Sequence, residues 1–304
     1  MPYSFHSHSG QFCKHGYGLL EDVVKEAVRK GFHTYGLSEH MPRYIDAELY
    51  PEEIEAHCTP KTLEATYDDF QLEARRIRDA YKDKIHLLIG AEIEFITPDY
   101  AHHVQQLRET YGIEYIVGSL HHAYSIPIDF SPDMFQQALE QADGQLERLF
   151  IQYFDEQYLM LQSVQPEVIG HFDLIRLFAD QSVADATLLL PNVWKRIVRN
   201  LDWVVAYGGL FEINSRSWKK GLRDAYPQRD IIQAILQKGG KFTLSDDCHG
   251  PKDVGLYYHK LPVYLKEVGI HTLYYLAREK GETVVKKHDN VLDDVFWRKI
   301  ESWE

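Results

Sequence analysis

Apolar positions along the chain switch between two spacings. Leu19, Leu20, Val23, Val24, Ala27 and Val28 recur three and four apart, which predicts an amphipathic helix stopped by Gly31. A short strand is predicted before it, ending at residues 6–8. Another follows at Thr34–Leu37 and ends in Ser38-Glu39-His40. A long helix over 61–82 precedes an apolar strand around 87–93, and a helix from about 100 to 111 leads into EYIVGSLHH. A helical region over roughly 132–162 then gives way to EVIGHFD, a helix around 188–205 to GLFEINS, and a helix around 229–238 to KFTLSDDCH. The tail adds strand-like HTLYYL and ETVVKKH and an amphipathic helix near the end. About seven strand–helix units fit before that tail, a rhythm that implies parallel strands joined by crossover helices. That number of units in one chain favours an α/β fold closed or distorted into a barrel over an open doubly wound sheet. No linker, repeat or low-complexity stretch divides residues 1–304, so one domain is expected.

Composition narrows the function classes. With 44% hydrophobic and 26% charged residues, the chain is ordinary for a globular protein with a large core. A net charge of −13 argues against nucleic acid or an anionic membrane as partner. Any phosphate ester that binds must therefore be attracted locally, and bound cations are the natural source. Cys13, Cys58 and Cys248 are too few and too irregularly spaced for a disulfide framework or a CxxC zinc site, which favours a reduced, cytoplasmic setting. The opening MPYSFHSHSG lacks a basic segment followed by an apolar run, and no apolar stretch is long enough to span a bilayer. A homo-oligomer is left open.

The chemistry collects at the strand ends. His6, His8, His40, His121, His171 and His249 each sit at the C-terminal end of a predicted strand, and His15 lies on the loop after the first. In β/α barrels that end carries the active site. On an extended segment His6 and His8 share a face, as do Asp247 and His249 with Cys248 pointing away, and Glu92 with Glu94. A lone HxH is weak evidence, and a single strand-end histidine is more often a hydrogen-bonded core residue. Glu92 within an apolar strand is different, because a buried carboxylate requires a cation. Together these residues point to a metal cluster, and imidazoles mixed with few carboxylates suit Zn, Fe or Mn better than Ca or Mg.

These motifs occur as HSH at 6–8, His15, Glu39-His40, GAEIE at 90–94, GSLHH at 118–122, GHFD at 170–173 and SDDCH at 245–249. In this order they resemble the PHP (polymerase and histidinol phosphatase) family of metal-dependent hydrolases. HSHSGQFCKHG, SEHMP, GSLHHAYSIPIDF, GHFDLIRLF and EINSRSWKKG are similar to the branch acting on L-histidinol phosphate, an intermediate of histidine biosynthesis. The resemblance implies a distorted, TIM-like (βα)7 barrel with three divalent ions (Zn, Fe and/or Mn) at the C-terminal rim. The first ion is expected on His6, His8, Glu92 and Asp247. Glu92 would bridge to a second completed by His121 and His171, and the third would take His15, His40 and His249. Asp246 beside Asp247 is a local ambiguity that the D-x-H spacing resolves toward Asp247. His122 beside His121 is another, resolved by register toward His121.

Three divalent ions against two carboxylates leave such a site about four units positive, which would hold a phosphate dianion on an acidic protein. The expected reaction is attack by a metal-bridging hydroxide, with Asp247, Glu92 and His249 as catalytic groups and either Asp247 or a water on the third metal as proton donor. Arg176 and Arg216 are expected on the phosphate, although either could serve instead in a salt bridge. Asp129 is expected opposite a cationic part of a small substrate, although after Pro-Ile it could equally cap a turn, with His122 nearby. The alternatives are a PHP phosphatase for a nucleotide, sugar phosphate or phosphotyrosine, or a metal-stabilised domain without catalysis.

Overall fold

The computed structural model describes residues 2–300 and 303. It opens with β1 (Tyr3–Ser4) and α1 (Leu20–Arg29). α1 buries Leu20, Val23, Val24 and Ala27, each worth up to roughly 3 kcal/mol for the larger side chains. Glu21 and Asp22 in its first turn and Arg29 in its last suit the helix dipole. Gly31, at φ +77°, turns the chain out as the Phe32 N–H donates to the Ala27 carbonyl at 2.9 Å. There follow β2 (Thr34–Leu37), α2 (Pro51–Glu55), α3 (Pro60–Tyr81), β3 (His86–Ile89), β4 (Ala91–Ile93), α4 (Tyr100–Tyr111) and β5 (Ile116–Gly118). A small hairpin, β6 (His122–Ala123) and β7 (Ile126–Pro127), leads to α5 (Pro132–Gln141), α6 (Leu146–Val164) and β8 (Val168–Ile169). The order continues α7 (Gln181–Leu188), α8 (Pro191–Tyr207), β9 (Leu210–Asn214), α9 (Arg229–Gln237), β10 (Lys241–Ser245) and α10 (Leu261–Glu267). A terminal hairpin, β11 (Thr272–Glu279) and β12 (Glu282–Asp289), precedes α11 (Phe296–Lys299).

The α/β alternation expected from the pattern is present, and its departures have local causes. The strand around 87–93 divides at Gly90. The helical region over 132–162 breaks between α5 and α6, where Asp143 and Gly144 take φ of 55° and 69°. Pro191 starts a fresh helix rather than continuing α7, since a proline is favoured in a first turn and excluded from an interior. α2, the β6–β7 hairpin and α10 are too short to leave a periodic signature. The expected helix near the end is described only as α11, its further residues lying outside the described set.

Every pairing among β1–β5 and β8–β10 is parallel. One sheet runs β1-β2-β3 and the other β10-β9-β8-β5-β4. Isolated parallel bridges, Ser7 to Cys248 and His40 to Glu92, connect the two sheets. The strands are buried on both faces, the condition for an all-parallel sheet covered by helices. Tyr115 explains two glycines: its ring fills the space that a Cβ at Gly36 or Gly90 would need, so β2 and the β3–β4 junction close around it. Among the described residues no helix is long and apolar enough to cross a membrane.

Candidate metal centre and active site

The strand-end residues converge. Beyond β1, Ser7 faces away from the centre: its N–H donates to Ser38 Oγ at 3.0 Å and its hydroxyl to the Gly36 carbonyl at 2.7 Å. His6 and His8 are thereby left on the other side, with ring centroids 5.2 Å apart. After β10 the expected extended geometry does not hold. Asp247 adopts a left-handed φ of 47°, a conformation that Asp tolerates better than most residues. This turn still sends Asp247 and His249 into the cavity while Cys248 is buried behind them. Asp246 is occupied elsewhere, accepting from Ser4 Oγ, Tyr35 Oη and the Gly255 N–H at 2.7, 2.9 and 2.6 Å. Burial pushes its carboxyl up to about 6. Asp247 is thus the member of the pair that faces the cluster.

Glu92 is the centre of the arrangement. His6 Nε2, His121 Nε2 and His171 Nε2 lie 2.9, 3.2 and 3.2 Å from Oε1, while His8 Nε2 and His40 Nδ1 lie 3.2 and 3.0 Å from Oε2. Asp247 Oδ1 is 3.6 Å from His6 Nε2 and 3.8 Å from His8 Nε2. Although close to carboxylate oxygens, His6 Nε2, His8 Nε2 and His40 Nδ1 are buried and make no hydrogen bond. Unpartnered ring nitrogens grouped with carboxylate oxygens within 4.8 Å of one another are what cation ligands require, and the N/O donor set fits Zn, Fe or Mn. His15 Nε2 lies 3.4 Å from His40 Nε2, and its ring is 4.8 Å from that of His249. All nine residues expected to bind metal therefore meet in one place. Cys13, which sequence reasoning passed over, is buried there too, its sulfur within 4.8 Å of the ligand atoms of His15 and His40.

A ring of carboxylates stands behind the imidazoles, a role that the sequence does not mark even for Glu39 and Glu94, which its motifs contain. Glu212 Oε2 lies 3.1 Å from His6 Nδ1, Glu39 Oε1 3.1 Å from His8 Nδ1, and Glu94 Oε2 3.1 Å from His121 Nδ1. Glu52 Oε1 is 2.6 Å from His15 Nδ1. Accepting a ring N–H on one side fixes the tautomer and presents the other nitrogen as a lone pair. The signal was available for Glu212 within LFEIN: a carboxylate in an apolar strand needs a partner, as it did for Glu92.

The cluster floors a cavity of about 480 Å³. Arg216 and Asp129 line it, as do Lys14, Lys220 and the apolar Phe130, Leu174 and Leu177. Arg216 donates to the Asp247 carbonyl at 3.0 Å and to Asp253 at 3.1 Å. Burial raises the Asp129 carboxyl above its usual range, and its Oδ1 has no hydrogen-bond partner. Two expected substrate residues are not among those lining the cavity. His122 is buried behind Glu94 and Tyr50, and burial lowers it to about 4. Arg176 turns inward on a 3-10 turn and pairs with Asp173 at 2.8 Å. Its guanidinium also donates to the carbonyls of Ala225 and Asp224 at 2.7 and 3.3 Å.

The crowding has a consequence for pH. Burial alone would lower His8, but Glu39 and Glu92 carry it up to about 9. Burial opposes a rise in His6 as well, yet Asp247, Glu92 and Glu212 lift it well above the usual value. A folded value above the unfolded value near 6.5 gives stability that is complete below that pH and lost as pH climbs to 9. Metal-free protein is expected to melt at progressively lower temperature between pH 6.5 and 9. Zinc loading at pH 7.5 is expected to displace these protons into solvent. Titration calorimetry in two buffers of different ionisation enthalpy counts the release. Zero protons would mean that the imidazoles are neutral before metal arrives.

Fold and cluster together define a class: α/β proteins that gather imidazoles and carboxylates around metal at the C-terminal ends of parallel strands. The chain belongs to the PHP domain family, whose pattern matches residues 4–216. Asp247 and His249 lie beyond the matched stretch and close the site from β10. A Schizosaccharomyces pombe protein named a probable histidinol-phosphatase is 46% identical over 304 residues, covering 99% of this chain and 97% of the relative. The histidinol-phosphatase of Saccharomyces cerevisiae is 31% identical over 98% of this chain and 100% of its own length. Among solved structures, the histidinol phosphate phosphatase of Lactococcus lactis superposes with a TM-score of 0.68 at 18% identity. The match covers 93% of this chain and 98% of that one, which shows a shared fold. That crystal holds zinc, L-histidinol and phosphate.

Proposed function

We propose that the chain hydrolyses L-histidinol phosphate to L-histidinol and phosphate, as its curated relatives are named to do. The observation that carries this reading is the convergence of His6, His8, His40, His121 and His171 on Glu92 at the floor of a cavity. We further propose a distorted (βα)7 barrel forming one domain. It is supported by the bridges that join both sheets and by counting β3 and β4 as one strand.

Three divalent ions (Zn, Fe or Mn) are proposed on the ligands assigned above, with Glu92 shared by two of them. When bound, they would polarise phosphoryl oxygens and make water acidic enough to act as nucleophile at neutral pH. The residues around them divide the remaining work. Glu212, Glu39, Glu94 and Glu52 hold ring protons at the outer nitrogens of His6, His8, His121 and His15. Arg216, beside Asp247 and His249, offers a planar donor to a phosphate arriving at the cluster, and Lys220 and Lys14 add positive charge along the wall. These cations answer the puzzle of an acidic chain binding a dianion. Asp129 faces the organic end, where an ammonium or imidazolium would stabilise its ionised form. Phe130, Leu174 and Leu177 give the same cavity an apolar wall. In this arrangement Arg176, buried outside the cavity, acts by holding residues 224–226.

A phosphatase panel tests the reading. The metal-loaded protein is expected to give its highest kcat/KM on L-histidinol phosphate, ahead of mononucleotides, sugar phosphates and phosphotyrosine. A preference for any of the others would overturn the substrate and leave the reaction class standing.

A further inference from the structure

Tyr226 also lines the catalytic cavity. Its ring stands edge-on to His171, with centroids 6.2 Å apart. The hydroxyl is buried and makes no hydrogen bond. A buried hydroxyl ordinarily finds a partner, and its want of one inside a substrate cavity points to a ligand atom. The residue is held from both sides. Its backbone N–H donates to the Asn214 carbonyl at 3.2 Å and its carbonyl accepts from the Asn214 N–H at 2.9 Å. Asn214 in turn donates from its amide to Glu212 and Asp247 at 2.8 and 3.2 Å. On the other side the Arg176 guanidinium lies 4.9 Å from the Tyr226 ring centroid. Asp173 pairs with Arg176 and accepts the Gln228 N–H at 2.9 Å, which locks the loop on both sides of the tyrosine. The phenol is thus placed in advance, the condition for a donor that acts in a transition state.

Its surroundings indicate which atom it meets. Tyr226 shares the cavity wall with Asp247, on the metal side, and with Asp129, on the organic side. We propose that the Tyr226 phenol donates a hydrogen bond to the ester oxygen that joins phosphorus to the departing alcohol. The inference rests on phosphoester hydrolysis in this cavity. As the oxygen of the attacking water bonds to phosphorus, the bond from phosphorus to the ester oxygen breaks and its electron pair stays on that oxygen. The alcohol then carries the proton that the water has given up, and the phenol keeps its own. The hydrogen bond strengthens as charge gathers on the leaving oxygen, so it lowers the barrier more than it tightens binding.

The test is Tyr226→Phe in the metal-loaded protein, assayed on L-histidinol phosphate and on p-nitrophenyl phosphate, whose leaving group is stable as an anion. Expected is a fall in kcat of ~10- to 100-fold on the alkyl ester with KM little changed. On the aryl ester the fall is expected to be about threefold or less. Metal content should match wild type, and the melting temperature should be equal or higher because the orphaned hydroxyl is gone. An equal loss on both esters, a larger loss on the aryl ester, or no loss on either overturns the contact. A loss that comes with lost metal or a lower melting temperature also overturns it, in favour of a structural role. If wild-type protein does not cleave L-histidinol phosphate, the substrate reading fails by itself. The same comparison is then made with the best alkyl phosphate of the panel.

Discussion

Glu92→Ala is expected to abolish turnover, by more than the ~10- to 100-fold typical of changes behind a metal ligand. Metal content should fall from about three equivalents to about one or fewer. Both Glu92 oxygens are in use: Oε1 faces His6, His121 and His171, and Oε2 faces His8 and His40. Removing the side chain therefore takes a shared donor from two proposed ions at once. Burial would raise the Glu92 carboxyl, but His6, His121 and His40 hold it well below the usual range, so it stays ionised even without metal. Glu92→Gln separates charge from shape. It keeps the volume but turns an amide N–H toward imidazoles that need an anion, and the loss is expected to match that of alanine. Elemental analysis beside steady-state kinetics reads both variants. A variant that retained three equivalents and near-normal kcat would remove the bridging role, and a wild-type protein with one equivalent would remove the three-ion site.

How much of the site shows in the sequence follows physical lines. The strand-end histidines were legible because parallel strands expose their C-terminal ends to the site, so position along the chain already reported position in space. Glu92 was legible because an apolar strand makes a carboxylate costly. The same cost applies to Glu212, but its partners His6 and the His171 N–H come from other strands, 206 and 41 residues away. No local spacing announces such a pair. Of the pair, Asp247 faces the cluster, though its left-handed backbone departs from the extended geometry that the D-x-H spacing assumes. Arg176 illustrates the opposite case. An arginine just past a strand end looks like a rim cation, but the turn at Leu174–Arg176 directs it toward Asp173 and residues 224–226. The short elements escaped because two to seven residues cannot display a period.

Glu212→Ala should show how much of the centre depends on what stands behind the ligands. Glu212 is fully buried and serves three groups: Oε1 accepts from the His171 N–H at 2.6 Å and Asn214 Nδ2 at 2.8 Å, and Oε2 lies 3.1 Å from His6 Nδ1. Alanine leaves the His171 N–H and the Asn214 amide without that acceptor, a cost of about 1–3 kcal/mol for each group left buried and unpaired. It also frees the His6 ring to rotate or to place its proton on Nε2, the nitrogen that faces Glu92. Zinc affinity or kcat is therefore expected to fall by ~10- to 100-fold, with a lower melting temperature. Glu212→Gln is expected to fall between the two. Its carbonyl oxygen can still accept from His6 or His171, but its own N–H₂ would oppose the donating amide of Asn214 at 2.8 Å. Chelator competition gives zinc affinity independently of turnover, so the ordering wild type, glutamine, alanine can be checked on metal binding alone. If all three released zinc equally and melted together, the carboxylate would be a bystander, and the tautomer of His6 would have to be set by Glu92 and the metal themselves.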